Sequence, residues 1–173
     1  MKLKLSIASV ILLMLSTVVA AQQSSPSWEK WKLLIGDWKG EGNGQPGQGE
    51  GFFSFQPGLD GNILIRKNHT IFPETSISPS KIHDDLLIVY SQSGSASQEA
   101  IYFDNEGNTI KYKVAFSDNS IILTSDKIAG SPRFRFTYSM TNKDTVSMAF
   151  DMASPDSPDA FRTYLSGKAE RVK

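Results

Sequence analysis

In Arg133-Phe134-Arg135-Phe136-Thr137-Tyr138-Ser139-Met140 the side chains change character at every step. Phe, Phe, Tyr and Met alternate with Arg, Arg, Thr and Ser, a period of two that separates into an apolar and a polar face only on an extended strand. A sheet buried on one side carries this pattern. Downstream the alternation returns in Val146, Met148, Phe150 and Met152, and upstream in Ile110, Tyr112, Val114 and Phe116. Extended in both directions, it predicts strands over 37–42, 50–56, 62–72, 82–91, 98–104, 108–117, 120–125, 133–141, 144–152 and 161–172. Leu59-Asp60-Gly61, Asn105-Glu106-Gly107, Asp118-Asn119 and Asn142-Lys143-Asp144 supply hairpin turn chemistry between neighbours. The fold class read from this is all-β: an antiparallel up-and-down meander of about ten strands. Such a sheet has two exposed edges unless it closes, so a barrel is expected, of a size that can hold a small ligand inside.

Ahead of the strands, Ser27 is placed to cap a short helix in which Trp28, Trp31 and Leu34 recur at a spacing of three, with Gly36 ending it. Further upstream, Lys2 and Lys4 give a positive start, Ile7 to Leu15 an apolar run, and Val18-Val19-Ala20-Ala21 the small residues of a cleavage site. That is a secretory signal pattern. The expected organisation is a signal peptide over 1–21, a linker over 22–26 and one barrel domain over 27–173. With no cysteine after the apolar run, lipidation there is not expected, and the mature product belongs in the periplasm or outside the cell, with no membrane span after signal removal.

The chain has 173 residues, which fits one domain, and no cysteine, which excludes disulfide scaffolds, thiol catalysis and zinc–thiolate or iron–sulfur centres. Lys and Arg number 18, as do Asp and Glu, so no basic field marks a nucleic-acid partner. Removal of Lys2 and Lys4 with the signal leaves 16 basic residues against 18 acidic ones. The mature chain is mildly acidic.

Some motifs dissolve on inspection. Gly42-Asn43-Gly44-Gln45-Pro46-Gly47 spells a phosphate-binding pattern but lacks the strand before and the helix after that such a loop needs. Asp104-Asn105-Glu106-Gly107 lacks the alternating ligands of a calcium loop and reads as a turn. Asn68-His69-Thr70 is a formal glycosylation sequon. Gly94-Ser95-Ala96-Ser97 lacks the setting of a nucleophile elbow.

His69 and His83 are the only histidines. A hairpin centred on residue 77 would set His69 opposite Asp85 and Ile71 opposite His83, gathering His69, His83, Asp84 and Asp85 into a metal or general-base candidate. The competing reading is a hydrogen-bonded barrel rim. Arg66-Lys67-Asn68-His69 is a polar run within an apolar strand, so whichever face is inward, two polar groups must enter the barrel or its mouth and find acids, water or a ligand's polar head, with Arg162 and Tyr164 as further partners. A largely apolar cavity with a few polar anchors is the usual composition of a small-molecule site.

Leu33-Leu34-Ile35-Gly36-Asp37-Trp38-Lys39-Gly40-Glu41-Gly42 resembles the opening of calycin barrels, and more particularly the nitrobindin-like group, whose first strand reads Leu-x-Gly-x-Trp-x-Gly-x-Gly. Tyr164-Leu165-Ser166-Gly167-Lys168-Ala169 is similar to the last strand of secreted members of this group. The resemblance implies a ten-stranded barrel in which Gly36 and Trp38 are structural and Arg171 of the last strand covers Trp38. It also implies haem held by a histidine near the C-terminal strand. This chain has no histidine after His83, so no cofactor is expected, and Tyr164 or Met152 is left as a non-histidine alternative.

The reading is therefore a carrier or sensor for a small apolar or amphipathic molecule. Its ligand-binding residues are Arg66, Asn68, His69, Tyr112, Phe134, Phe136, Tyr138 and Tyr164, and Trp38 is a further candidate lining residue. The alternatives are a hydrolase or metal-dependent enzyme using His69, His83 and Asp85, a haem protein, and a structural envelope protein with a filled core. No complete catalytic constellation is visible, and the oligomeric state is open.

Overall fold

The computed structural model describes residues 28–41, 49–92 and 97–173. The signal and linker segments, Ser27 and the glycine-rich stretch 42–48 lie outside them. Among the described residues ten strands form the sheet: β1 (Gly36–Glu41), β2 (Glu50–Gly58), β3 (Ile63–Phe72), β4 (Lys81–Ser91), β5 (Gln98–Asp104), β6 (Thr109–Phe116), β7 (Ser120–Ser125), β8 (Arg133–Asn142), β9 (Thr145–Ala153) and β10 (Arg162–Arg171). Every strand pairs antiparallel with its neighbour in sequence, and β1 pairs with β10, closing the barrel. Closure leaves no free strand edge, the liability that made a barrel the expected solution.

No α-helix occurs among the described residues, and none is long and apolar enough to cross a membrane. Residues 29–34, where the spacing of Trp28, Trp31 and Leu34 predicts helix, form successive hydrogen-bonded turns, with Leu34 N–H donating to Trp31 O at 2.7 Å. The cap expected at Ser27 is outside the described residues. The segment nonetheless does what an amphipathic turn of helix would do, driving its apolar side into one end of the barrel. Trp31 is fully buried, 5.6 Å from the Phe55 ring, and its indole N–H donates to Gln98 Oε1 at 2.7 Å. Trp28 donates to Gly61 O of the β2–β3 turn at 2.8 Å. Burying an indole of this size contributes roughly 4–6 kcal/mol of transfer free energy, which makes this plug a principal fastening of the closed end.

Beneath the plug, Trp38 of β1 is fully buried, stacks with Phe53 at 6.0 Å and donates its indole N–H to Leu34 O at 2.8 Å. Arg171 of β10 sits over the outer side of the Trp38 ring, its guanidinium carbon 4.4 Å from the centroid, and donates to Ile35 O at 2.8 Å and Leu33 O at 2.5 Å. Gly36 is required here: its φ is +124°, and a Cβ would lie 2.7 Å from the Arg171 guanidinium. The structural roles expected for Gly36, Trp38 and Arg171 therefore meet at one place. Trp38, also considered as cavity lining, belongs instead to this packed end. A second glycine, Gly51 of β2, has no room for a side chain because a Cβ would come within 2.2 Å of His69 O on β3.

The β3–β4 pairing corrects one expectation. His69 lies opposite Asp84, Thr70 opposite His83 and Asn68 opposite Asp85, one residue away from the expected register. The connecting hairpin closes through the Thr75–Ser78 bridge around two central residues, Ser76 and Ile77, rather than around residue 77 alone. A slip of one residue exchanges faces. His83 and Asp85 point into the barrel, whereas His69 and Asp84 pair on the outside.

Candidate functional site

Among the described residues, the end of the barrel opposite the Trp31 plug is open, and its interior is a cavity of ≈ 1310 Å³. Three sides are aromatic and aliphatic. From β8 come Phe134, Phe136 and Tyr138, the apolar face of the alternating stretch Arg133–Met140; Met148 and Phe150 from β9, Leu87 from β4 and Leu123 from β7 complete the wall. Phe134 stacks with Phe150 at 5.7 Å, and Tyr164 of β10 meets Phe150 edge-on at 6.4 Å. Tyr164 reaches this position through a bulge between Thr163 and Leu165, and stands exposed at the mouth.

The fourth side is polar, built from β3, β4 and β5. Arg66 forms an ion pair with Asp85, a diagonal neighbour across β3 and β4. The guanidinium carbon is 5.3 Å from the Phe53 ring and 5.7 Å from the Phe136 ring, so cation–π attraction adds to the pairing. Burial opposes the Arg66 charge, but Asp85 more than compensates and keeps the guanidinium charged. Its Nε–H alone among the buried side-chain donors and acceptors of the described residues has no hydrogen-bond partner.

From Asp85 the network runs toward the mouth. His83 Nε2 lies 3.5 Å from Asp85 Oδ2 and 3.0 Å from Tyr102 Oη, while Nδ1 lies 3.1 Å from Glu106 Oε1. Asp85 above all, then Glu106, raises the His83 pKa above the ordinary imidazole value against the opposing effect of burial. Tyr102 donates to Asp104 Oδ2 at 3.2 Å, and Lys81 pairs with Glu106 at 2.7 Å. Burial pushes Asp104 upward, yet donation from the Asn108 side chain, the backbone N–H groups of Asn108 and Glu106 and the Tyr102 hydroxyl holds its carboxyl below the usual range. Burial first, and for Tyr102 the adjacent carboxylates second, lifts the phenols of Tyr102, Tyr112 and Tyr138 well above their ordinary value. All three stay neutral near pH 7.

Arg66, Asn68, Tyr112, Phe134, Phe136, Tyr138 and Tyr164 line the cavity, as do His83 and Asp85. His69 does not: it is half-exposed on the outer face with Nδ1 2.6 Å from Asp84 Oδ1, so His69 and His83 never form the joint cluster that a different register would build. Tyr102, Asp104 and Glu106 are the members that sequence reasoning missed. Their inward direction becomes readable only once the β4–β5 register, with Leu87 opposite Tyr102 and Asp85 opposite Asp104, is known. His83, Asp104 and Glu106 bring ligand atoms within 4.8 Å of one another. Each is already engaged: Asp104 accepts four hydrogen bonds and Glu106 is neutralised by Lys81, an arrangement that satisfies the turn it closes.

Fold and cavity together define a closed ten-strand antiparallel barrel, consistent with a calycin-like architecture, plugged at one end and open at the other. A scan against protein-family models finds no match, and a search of the curated proteins finds no relative.

Proposed function

We propose that this protein is an exported, nitrobindin-like calycin barrel that takes up a small apolar or amphipathic molecule in its cavity, as a carrier or sensor in the periplasm or outside the cell. The observation that carries the reading is the division of the interior: one end packed around Trp31 and Trp38, the other an open space walled by Phe134, Phe136, Leu87, Met148 and Phe150 with one polar side. Apolar enclosure supplies affinity and a few fixed polar groups supply orientation, the usual economy of a small-molecule site. A purely structural barrel would gain more stability by filling that space, because each unfilled volume forfeits dispersion contacts.

The enzyme alternative narrows to His83 and Asp85, since His69 faces away from the cavity. Both nitrogens of His83 are engaged within the wall, Nδ1 with Glu106 and Nε2 with Tyr102. The haem alternative has less support still: Met152 is not among the cavity-lining residues, and Tyr164 stands at the mouth against Phe150.

Native mass spectrometry of the protein purified from its own host tests the proposal. The expected result is a chain beginning near Gln22 that carries an additional small molecule, released on denaturation. A chain retaining its first 21 residues would overturn the export reading. A stoichiometric haem adduct would overturn the ranking of ligands.

A further inference from the structure

Resting on the carrier reading, the polar wall also restricts the kind of amphiphile that the cavity accepts. Strand alternation turns the cations Arg66 and Lys81 and the anions Asp85 and Asp104 inward, and the anion Glu106 of the β5–β6 turn joins them through Lys81 and His83. Arg66 is matched by Asp85 and Lys81 by Glu106. Lys111 and Lys168 also border the cavity, but alternation with Tyr112 and Gly167 turns their side chains to the outer face, and Asp126 at the rim is paired with Lys113 at 3.1 Å. Among the described residues, then, no cation facing the cavity is left to balance an incoming carboxylate. With His83 neutral, the inward wall carries one negative charge in excess; with His83 protonated, it is balanced.

A charged head would enter at a cost in either case. An anion would meet a guanidinium already neutralised and two further carboxylates nearby, and would lose its hydration without a counter-charge. A cation would have to compete with Arg66 and Lys81 for the same acids. What the wall does hold is a donor without a partner: the buried Nε–H of Arg66, a cavity-lining residue whose guanidinium carbon lies over the rings of Phe53 and Phe136. A buried donor without an acceptor is costly, and a ligand acceptor placed there removes that cost.

We infer that the cavity selects uncharged amphiphiles whose polar end is a hydrogen-bond acceptor, such as an amide or ester carbonyl, seated at Arg66, and discriminates against fatty carboxylates and alkylammonium ions.

The test uses 1,6-diphenylhexatriene, a hydrocarbon that fluoresces on entering an apolar site, and its displacement at pH 7.4 by three compounds sharing a twelve-carbon chain: N-dodecylacetamide, dodecanoate and dodecyltrimethylammonium. The amide is expected to displace the probe at a concentration about ten-fold below either charged compound, as one buried hydrogen bond and avoided charge desolvation require. Asp85→Asn leaves the Arg66 charge unmatched and should move dodecanoate ahead of the amide, whereas Arg66→Lys keeps the charge pairing, removes Nε and should narrow the amide's advantage. Failure of diphenylhexatriene to bind at all would reject the carrier reading and this inference with it. Probe binding together with displacement by dodecanoate or the ammonium ion at concentrations equal to or below those of the amide would overturn the inference alone. Should Asp85→Asn fail to fold, the order of the three compounds on the unmodified protein still decides.

Discussion

Arg66 on β3 and Asp85 on β4 form an ion pair whose side chains are 8% and 5% exposed, placed in the wall of a cavity rather than in a packed core. Removing one member leaves the other charged and buried. Asp85→Leu or Arg66→Met is expected to lower stability by about 3–5 kcal/mol, while the double change Arg66→Met/Asp85→Leu should cost far less than the sum. Urea denaturation of the three variants measures the coupling. Additive single effects would show that the two charges do not depend on each other.

At the plugged end, Arg171 adds a stacking contact with Trp38 and two hydrogen bonds to the carbonyls of the 29–35 turn segment. Arg171→Ala is expected to destabilise by about 1–2 kcal/mol through lost packing and cation–π attraction, with ligand binding intact because the residue is remote from the cavity. Thermal denaturation checks this, and an unchanged melting temperature would refute the role.

His83 supplies a pH dependence with a definite sign. Its folded pKa is raised above the ordinary imidazole value, chiefly by Asp85, so its contribution is complete below about pH 6.5 and is lost as pH rises through the folded value. Melting temperatures of the native protein should therefore fall relative to those of His83→Gln as pH is raised from near 6 to above 8. Parallel curves for the two proteins would contradict the linkage.

The outward pair gives the contrasting expectation. His69 and Asp84 are both about half exposed, where such pairs contribute little. His69→Ala should change stability by no more than about 0.5 kcal/mol and leave the affinity for every cavity ligand unaltered. Displacement titrations on the variant decide this, and a head-group-selective loss of affinity would place His69 at the site after all.

That contrast marks how far the sequence could be read. All ten strands lie within a residue or two of where alternation and turn chemistry put them, because stretches such as Arg133–Met140 turn an apolar face into the barrel and a polar face out, and a period of two is unambiguous there. Closure followed from the short sequential hairpins, and the resemblance in Leu34-x-Gly36-x-Trp38 pointed to the Arg171 partner that the barrel brings to Trp38. The register of β3 against β4 was not legible. Arg66-Lys67-Asn68-His69 is polar on both faces, so hydrophobic alternation could not say which pair faced inward, and the answer lay in whether Thr75–Ser78 encloses one or two central residues. Tyr102, Asp104 and Glu106 were hidden for a related reason: their role depends on meeting His83, a consequence of two registers in succession.

Whether the open half of the barrel holds an apolar or amphipathic guest is decided by titrating the purified protein with an environment-sensitive hydrophobic dye while following its melting temperature. A guest-binding cavity should give saturable binding with a defined stoichiometry, a rise in melting temperature with dye concentration by mass action, and weaker binding after Phe136→Gln, which places an amide against the aromatic wall. Unsaturable or absent binding, with a melting temperature indifferent to every apolar probe, would contradict it and leave the enzyme or structural reading in its place.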